Sequence, residues 1–436
     1  MSDGGSHHRR VSLDTLAAVD PEALPISTSR KFTFKYIDIS AVSEGKLTIP
    51  SSTVEYGDAP SRARRIIRSG DVIMSTVRPN LKAFAYCQLD SIPYVASTGF
   101  AVLRAKENVV PYFLLCSLLS DDVSGQINRL AVGSNYPAIN SSDVRRLQLP
   151  DLSDSEQKRI AAILTSIDTA IEKTETLIAK YQQIKVGLMH DLFTRGVLPN
   201  GQIRPPREQA PELYQQTAIG WIPREWLLAR LGNMASIVSG VTLGAKAGPT
   251  DTIEAPYLRV ANVQDGYLEL TEIKTVYVSP KTLKQLRLEP GDVLMNEGGD
   301  FDKLGRGAVW AGEIANCVHQ NHVFRVRCNP NKLMPNYLAF YSESAFGKKY
   351  FVMSSKQSTN LASINSTQLK AYPIAMPKLR EQHAIIQIIL RANNRLTTLR
   401  AEASTLGSQK LGLMQDLLTG KVPVKVHEPT PEPLHA

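Results

Sequence analysis

The residue types that could do chemistry are present in this chain, but the familiar spacings of an active site are scarce. There is no GxGxxG dinucleotide loop, no GxSxG nucleophile elbow and no HExxH pair of metal-binding histidines. GVTLGAK, from Gly240 to Lys246, lacks both the glycine spacing of a phosphate loop and a Ser or Thr after the lysine, and reads as a structural loop. His7, His8, His427 and His435 lie near the ends of the chain, and His190 and His383 fall on expected helices. His319 and His322 form a local pair without the Cys, Asp or Glu set of a metal site. Asp300 and Asp302 stand among glycines and a lysine in NEGGDFDKLGRG, as in an exposed loop. No catalytic, cofactor or metal site is expected.

Cations and amides placed in turns suggest a different chemistry. SRARRIIR supplies Arg62, Arg64, Arg65 and Arg68, which either neutralise phosphates or pair within the fold. RPNLK presents Arg78, Asn80 and Lys82 just beyond a strand, where Arg and Asn suit purine edges and a plain turn is the alternative. GSNYPAIN (133–140) and KQSTNLASIN (356–365) are matched polar loops. Their Asn135, Lys356, Gln357, Ser358 and Asn360 either touch DNA or serve turns and caps. Lys303 and Arg306 after the glycine-rich stretch, with Gln320, Asn321 and His322, complete the DNA-binding candidates.

Composition permits such a partner without requiring it. The 436 residues are 43% apolar and 21% charged, enough for two to four domains, with 50 basic against 41 acidic side chains, net +9. The excess is local: residues 30–150 carry 15 basic and 10 acidic groups, and residues 221–377 carry 17 and 13. Cys87, Cys116, Cys317 and Cys328 are far apart in apolar or strand-like runs, as for buried reduced thiols of an intracellular protein. No secretion leader and no membrane span are expected.

The elements that must position these loops are written twice. YIDISAVSEGKL (36–47) matches YLRVANVQDGYL (257–268), and RSGDVIMS (68–75) matches EPGDVLMN (289–296), both 221 residues apart. AINSSDVRRLQLP (138–150) answers SINSTQLKAYPIAMP (363–377), SEQKRI answers REQHAI, and GLMHDLFTRG answers GLMQDLLTGK, the last two at an offset of 225. Each half opens with short β-branched segments and one helix candidate after a proline, at 111–127 and 335–351. Each then changes to a 3.5-residue period. Its packing positions are Ile160, Leu164, Ile167, Ile171, Ile178, Leu188 and Leu192 in the first half. In the second they are Ile385, Ile389, Leu396, Leu399, Leu406, Leu413 and Leu417. The fold expected is α+β, with two globular mixed α/β domains separated by an antiparallel coiled-coil-like pair of long helices, in an internal pseudo-two-fold repeat. Ile163, Ala170, Leu177 and Ile184 widen the first stripe, as if that helix touches a further surface.

Together these motifs, with the entry segment IGWIPREWLLARLGNMA (219–235), resemble the DNA-specificity subunit of type I restriction-modification systems, over about Tyr36 to Val424. At the start of the chain VSLDTLAAVDPEAL replaces a counterpart of the IPxxW entry, which leaves the fold of residues 1–30 open. The resemblance implies target-recognition domains at 1–152 and 221–378, long helices at 153–197 and 379–422, a linker at 198–220 and a flexible tail at 423–436. It implies a noncatalytic cytoplasmic subunit that reads a bipartite double-stranded DNA target in bacterial or archaeal defence. Two modification methyltransferase subunits and restriction-translocase subunits would be its partners, and S-adenosylmethionine, ATP and magnesium would belong to them alone. The repeated INSxxx and GLMxDL segments are either docking surface for those partners or ordinary caps and packing. A pure protein scaffold would instead bind DNA without sequence preference, and a self-sufficient methyltransferase or nuclease would need an active site.

Overall fold

The computed structural model describes residues 8–43, 45–133, 136–243, 251–299, 305–357 and 362–425. The chain divides into two compact units, one of Met1–Glu175 with Ala401–Ala436 and one of Thr176–Arg400. Asp300, Asp302 and residues 244–250 of the GVTLGAK region lie outside the described residues.

In the first unit, one four-stranded antiparallel sheet has the order Ala17–Val19, Phe100–Ala105, Val72–Ser75, Phe84–Tyr86. A second runs Val54–Glu55, Thr33–Ile37, Tyr94–Ser97, Ala63–Ile67, with its central pair parallel. Every residue of VIMS (72–75) is buried, which explains an apolar run without alternation: this strand is covered on both faces. The helices are α1 (Leu13–Leu16), α2 (Pro111–Leu119), α3 (Asp121–Leu130), α4 (Ser141–Arg146) and the long α5 (Asp154–Thr194).

The second unit repeats the first sheet as Ala235–Ser239, Val323–Cys328, Val293–Asn296, Gly307–Val309. Its second sheet is Lys274–Val278, Ile253–Leu258, Val318–His319. Its helices are α6 (Pro280–Leu286), α7 (Pro335–Glu343), α8 (Ala345–Ser354), α9 (Ser366–Ala371) and the long α10 (Leu379–Thr419). At 41 residues each, α5 and α10 extend about 60 Å.

Two expectations change. The single helices foreseen at 111–127 and 335–351 are each a pair, broken at Ser120 and Ser344. Both serines leave the helical region (ψ 154° and 148°) and cap the second helix of their pair, Ser120 accepting from Val123 N at 3.3 Å and Ser344 from Gly347 N at 3.0 Å. Gly347 must be glycine, because a Cβ there would lie 2.0 Å from the Tyr341 carbonyl oxygen. The start of the chain also has a counterpart after all. Arg10–Ser12 pairs antiparallel with Gln148–Pro150 as Leu227–Arg230 pairs with Pro373–Met376. Leu13 N then donates to Leu147 O and Leu231 N to Tyr372 O, both at 2.8 Å. Both leucines are fully buried, so a strand of different sequence fills the same slot.

The 3.5-residue register is the inward face: all fourteen packing positions expected on the two helices are buried or half-buried. Of the extra apolar positions, Ile163 packs against the first unit's core while Leu177 and Ile184 are exposed. In the first unit Ile160 and Leu164 of α5 share a core with Phe113, Cys116, Met414, Leu417 and Leu418, and Lys410 pairs with Asp168 at 2.6 Å. In the second, Met189, Leu192 and Phe193 join Ile385, Ile386 and Ile389 beside Tyr337 and Tyr341. Within each unit the two helix segments therefore run antiparallel. The buried Met and Leu of GLMxDL explain that motif by internal packing. INSxxx is explained by capping, since Asn140 and Asn365 each close a capping box on α4 and α9. The four cysteines are free thiols, three buried and Cys328 half-buried, and desolvation pushes all four up to about 12.

A buried glutamine fastens each long helix to its module. Gln157 accepts from Val110 N at 3.0 Å and donates to Leu152 O at 2.8 Å. Gln382 accepts from Met334 N at 2.9 Å and donates to Lys332 O and Pro377 O, both at 2.9 Å. Val110 and Met334 are the residues before α2 and α7, whose first amides have no partner within their own helices. Replacing Gln382 with Leu strands one buried amide and two carbonyls, a cost of about 2–3 kcal/mol. Hydrogen exchange at the Met334 amide should speed up by the corresponding ~30-fold or more. An unchanged rate would show that Gln382 does not hold the Met334 amide.

Candidate nucleic-acid interface

The shared GDV motifs set the foundation. Asp71 and Asp292 are buried, and each takes a two-point ion pair from the neighbouring strand: Arg104 Nε and Nη2 at 2.8 Å, and Arg327 Nε at 2.7 Å and Nη2 at 2.8 Å. Asp71 also accepts from Arg68 N at 2.8 Å and Asp292 from Glu289 N at 2.7 Å. A buried carboxylate satisfied this way fixes where the VIMS and VLMN strands begin, and so where they end.

At the far end of each strand three segments meet. In the first unit Thr76 N donates to Gly99 O at 2.8 Å, Ile139 N donates to Thr76 O at 3.0 Å, and Val77 and Val132 both bridge to Ala138. In the second, Glu297 N donates to His322 O at 3.0 Å and Ile364 N to Glu297 O at 2.8 Å. There Gly298–Gly299 and Lys356–Gln357 both pair with Ala362–Ser363. The RPNLK turn and residues 136–140 are thus brought together, as are the strand end at 297–299, the Gln320–His322 turn and the short strands Lys356–Gln357 and Ala362–Ser363.

The candidates divide at this edge. Arg62, Arg78 and Asn80 are exposed, with the Arg62 carbonyl accepting from Thr98 N at 2.8 Å and the Arg78 guanidinium stacked 4.4 Å over the Tyr136 ring. Arg64 is bonded to the Tyr56 hydroxyl and lies 5.1 Å over its ring. Arg65 pairs with Asp20, and Arg68 with Glu22 at 2.7 Å. Arg104, and after it Arg68, hold the Glu22 carboxyl below its ordinary range. Three of the four SRARRIIR arginines therefore take the intramolecular alternative. Lys82 donates to Leu119 O at 3.0 Å and approaches Asp121 at 3.5 Å, tying its turn to the break between α2 and α3. Arg306 is half-buried, donating to Gln264 Oε1 at 2.9 Å beside Asp265. Gln320 and Asn321 are half-buried, and exposed His322 holds Glu297 at 2.5 Å. Asn135, Lys303, Ser358 and Asn360 lie outside the described residues, and Lys356 and Gln357 are described by backbone alone.

Three exposed apolar side chains at the first edge were not among the candidates: Leu81 (62% exposed), Val132 (78%) and Tyr136 (69%). The sequence carries a signal for them, an aromatic inside a polar loop, but the hydrogen-bonding residues around it, Asn135 above all, mask it. No group of three or more His, Cys, Asp or Glu among the described residues is placed to hold a metal. No helix among them is long and apolar enough to cross a membrane.

Beneath the second edge His319 is fully buried, its Nδ1 2.6 Å from Val323 O. Gly240 packs against it so closely that a Cβ would lie 1.9 Å from the His319 carbonyl oxygen, which accounts for the first glycine of GVTLGAK. The strand register places Ala96 at the matching position in the first unit. Burial pushes the His319 imidazole down to about 4 from its ordinary 6.5. The unfolded chain therefore binds the proton first, so the second unit is stabilised above pH 6.5 and loses that contribution as pH falls toward 4, on the order of 3 kcal/mol. Urea unfolding at pH 7 and pH 5 should show a smaller pH-dependent loss in His319→Ala than in the parent. Equal losses would contradict the assignment.

Residues 27–182 and 223–404 match the family model described as the type I restriction modification DNA specificity domain. The chain is 29% identical over 210 residues to the putative type I restriction enzyme MjaX specificity subunit of Methanocaldococcus jannaschii, covering 48% of this chain and 49% of that protein. It is 22% identical over 301 residues to the type I restriction enzyme EcoKI specificity subunit of Escherichia coli, covering 68% and 62%. It thus spans about half to three-fifths of the length of these curated relatives. A chain from a structure on complex assembly and conformational transition of the type I R-M system is similar in fold, with a TM-score of 0.62, 23% identity and coverage of 96% and 99%. So is the HsdS subunit from Thermoanaerobacter tengcongensis, at TM-score 0.50, 24% identity and coverage of 96% and 98%. With a match that takes in both modules and most of both long helices, the chain belongs to the family of type I restriction-modification DNA specificity domains.

Proposed function

We propose that this chain is the sequence-specific DNA-binding subunit of a type I restriction-modification complex, working in the cytoplasm and noncatalytic by itself. Its two modules, 1–152 and 221–378, each read one part of a bipartite duplex target. Methyltransferase and restriction subunits, which carry S-adenosylmethionine, ATP and magnesium, are positioned by the shared helical scaffold. The observation that carries this reading is the three-segment edge built twice by the same backbone bonds but with different side chains. One framework with two surfaces suits two different half-sites.

At the first edge Arg62, Arg78 and Asn80 face the DNA, with Asn135 on the adjoining loop. At the second the contacts come from Gln320, Asn321, His322, Lys356 and Gln357, together with Lys303, Ser358 and Asn360. Arg64, Arg65, Arg68, Lys82 and Arg306 shape these surfaces through their internal pairs and contribute field more than direct contact. Genome-wide mapping of modified bases, with and without the gene for this chain, should show modification at a two-part interrupted motif only when the chain is present. A modification pattern indifferent to the chain, or one uninterrupted recognition block, would contradict the reading.

A further inference from the structure

The tip of the first edge is more elaborate than a phosphate contact needs. Arg78 (φ 49°, ψ 50°) and Lys82 (φ 52°, ψ 35°) both hold the left-handed conformation, which side chains with a Cβ adopt at a cost. Buried Pro79 lies between them in a 3-10 turn closed by Leu81 N donating to Arg78 O at 3.0 Å. Arg78 N donates to Pro137 O at 2.7 Å, and Lys82 is anchored to Leu119 O. The guanidinium lies on the Tyr136 ring, and exposed Leu81 and Val132 belong to the same pair of adjoining segments.

Resting on the proposed function, we infer that Tyr136 is a specificity-determining residue of the first module, and that with Arg78 it reads a guanine. A ring stacked on the guanidinium fixes the plane of the fork, and guanine offers O6 and N7 in the plane of the base as its two-point match. Leu81, Val132 and Tyr136 on the adjoining segments offer exposed apolar surface that a docked base would cover, shielding the contact from water. A phosphate contact would be served as well by a mobile lysine in open solvent, without strained backbone or apolar surround. In the second module the same register puts Gly299 where Arg78 stands, so among the described residues this arginine belongs to the first edge and the effect is expected in one half-site.

The test is selection from randomised duplex DNA by the full-length chain, comparing the parent with Tyr136→Ala, Tyr136→Phe and Arg78→Lys. Tyr136→Ala and Arg78→Lys should each lower the preference for guanine at one position of one half-site by about tenfold or more, with the other half-site unchanged. Tyr136→Phe keeps the ring and should keep the preference. Thermal unfolding at the parent temperature verifies that the variants are folded, as expected for so exposed a side chain. An unchanged preference in Tyr136→Ala, equal weakening on all sequences, or a change at a position other than guanine would overturn the inference. If the parent selects no two-part sequence, the proposed function itself fails.

Discussion

The structure depends on how a long helix is held to a β-rich module without a continuous chain of regular structure between them. A buried glutamine solves this twice. Gln157 and Gln382 sit in the first turn of their helices and bond across to the residues just before α2 and α7, so one amide side chain satisfies helix-end groups from two elements. Glutamine suits the task because it accepts and donates at once, where a carboxylate would bring a charge into a buried site. With the helix start fixed, the apolar register along it has a defined direction.

That register ends in a core of the same kind in both repeats. The last turns of α5, which comes after the first module, supply Met189, Leu192 and Phe193 to the core around Tyr337 and Tyr341 of the second. The last turns of α10 supply Met414, Leu417 and Leu418 to the core around Phe113 of the first. Phe193 meets Tyr337 and Tyr341 edge-on at 5.4 and 5.5 Å, and its burial alone contributes about 2–3 kcal/mol. Each module is therefore completed by the helix of the other repeat, which keeps GLMxDL alike in both while the loops are free to differ.

Much of this was legible in the sequence because it is local or periodic. The helices, their inward face and the repeat all come from spacing, and the GDV strands from continuous apolar runs. What sequence alone missed depends on partners far along the chain. For Arg64, Arg65 and Arg68 the sequence leaves phosphate contact and internal pairing both open, and the fold decides by setting Tyr56, Asp20 and Glu22 beside them. The breaks at Ser120 and Ser344 were hidden because a serine cap is a weak signal inside an apolar helix. Arg10–Ser12 lacks the entry sequence of its counterpart, and only pairing with Gln148–Pro150 reveals it. Tyr136 acquires meaning from Arg78, which comes 58 residues earlier.

The central claim is that one framework carries two independent readers of DNA. Its most direct measurement replaces residues 10–150, which include the N-terminal strand, with the corresponding module of another family member and maps the modified bases that result. Independent modules require that one half of the motif changes while the other half is retained. Alteration of both halves, or of neither in a complex that still modifies DNA, would contradict it.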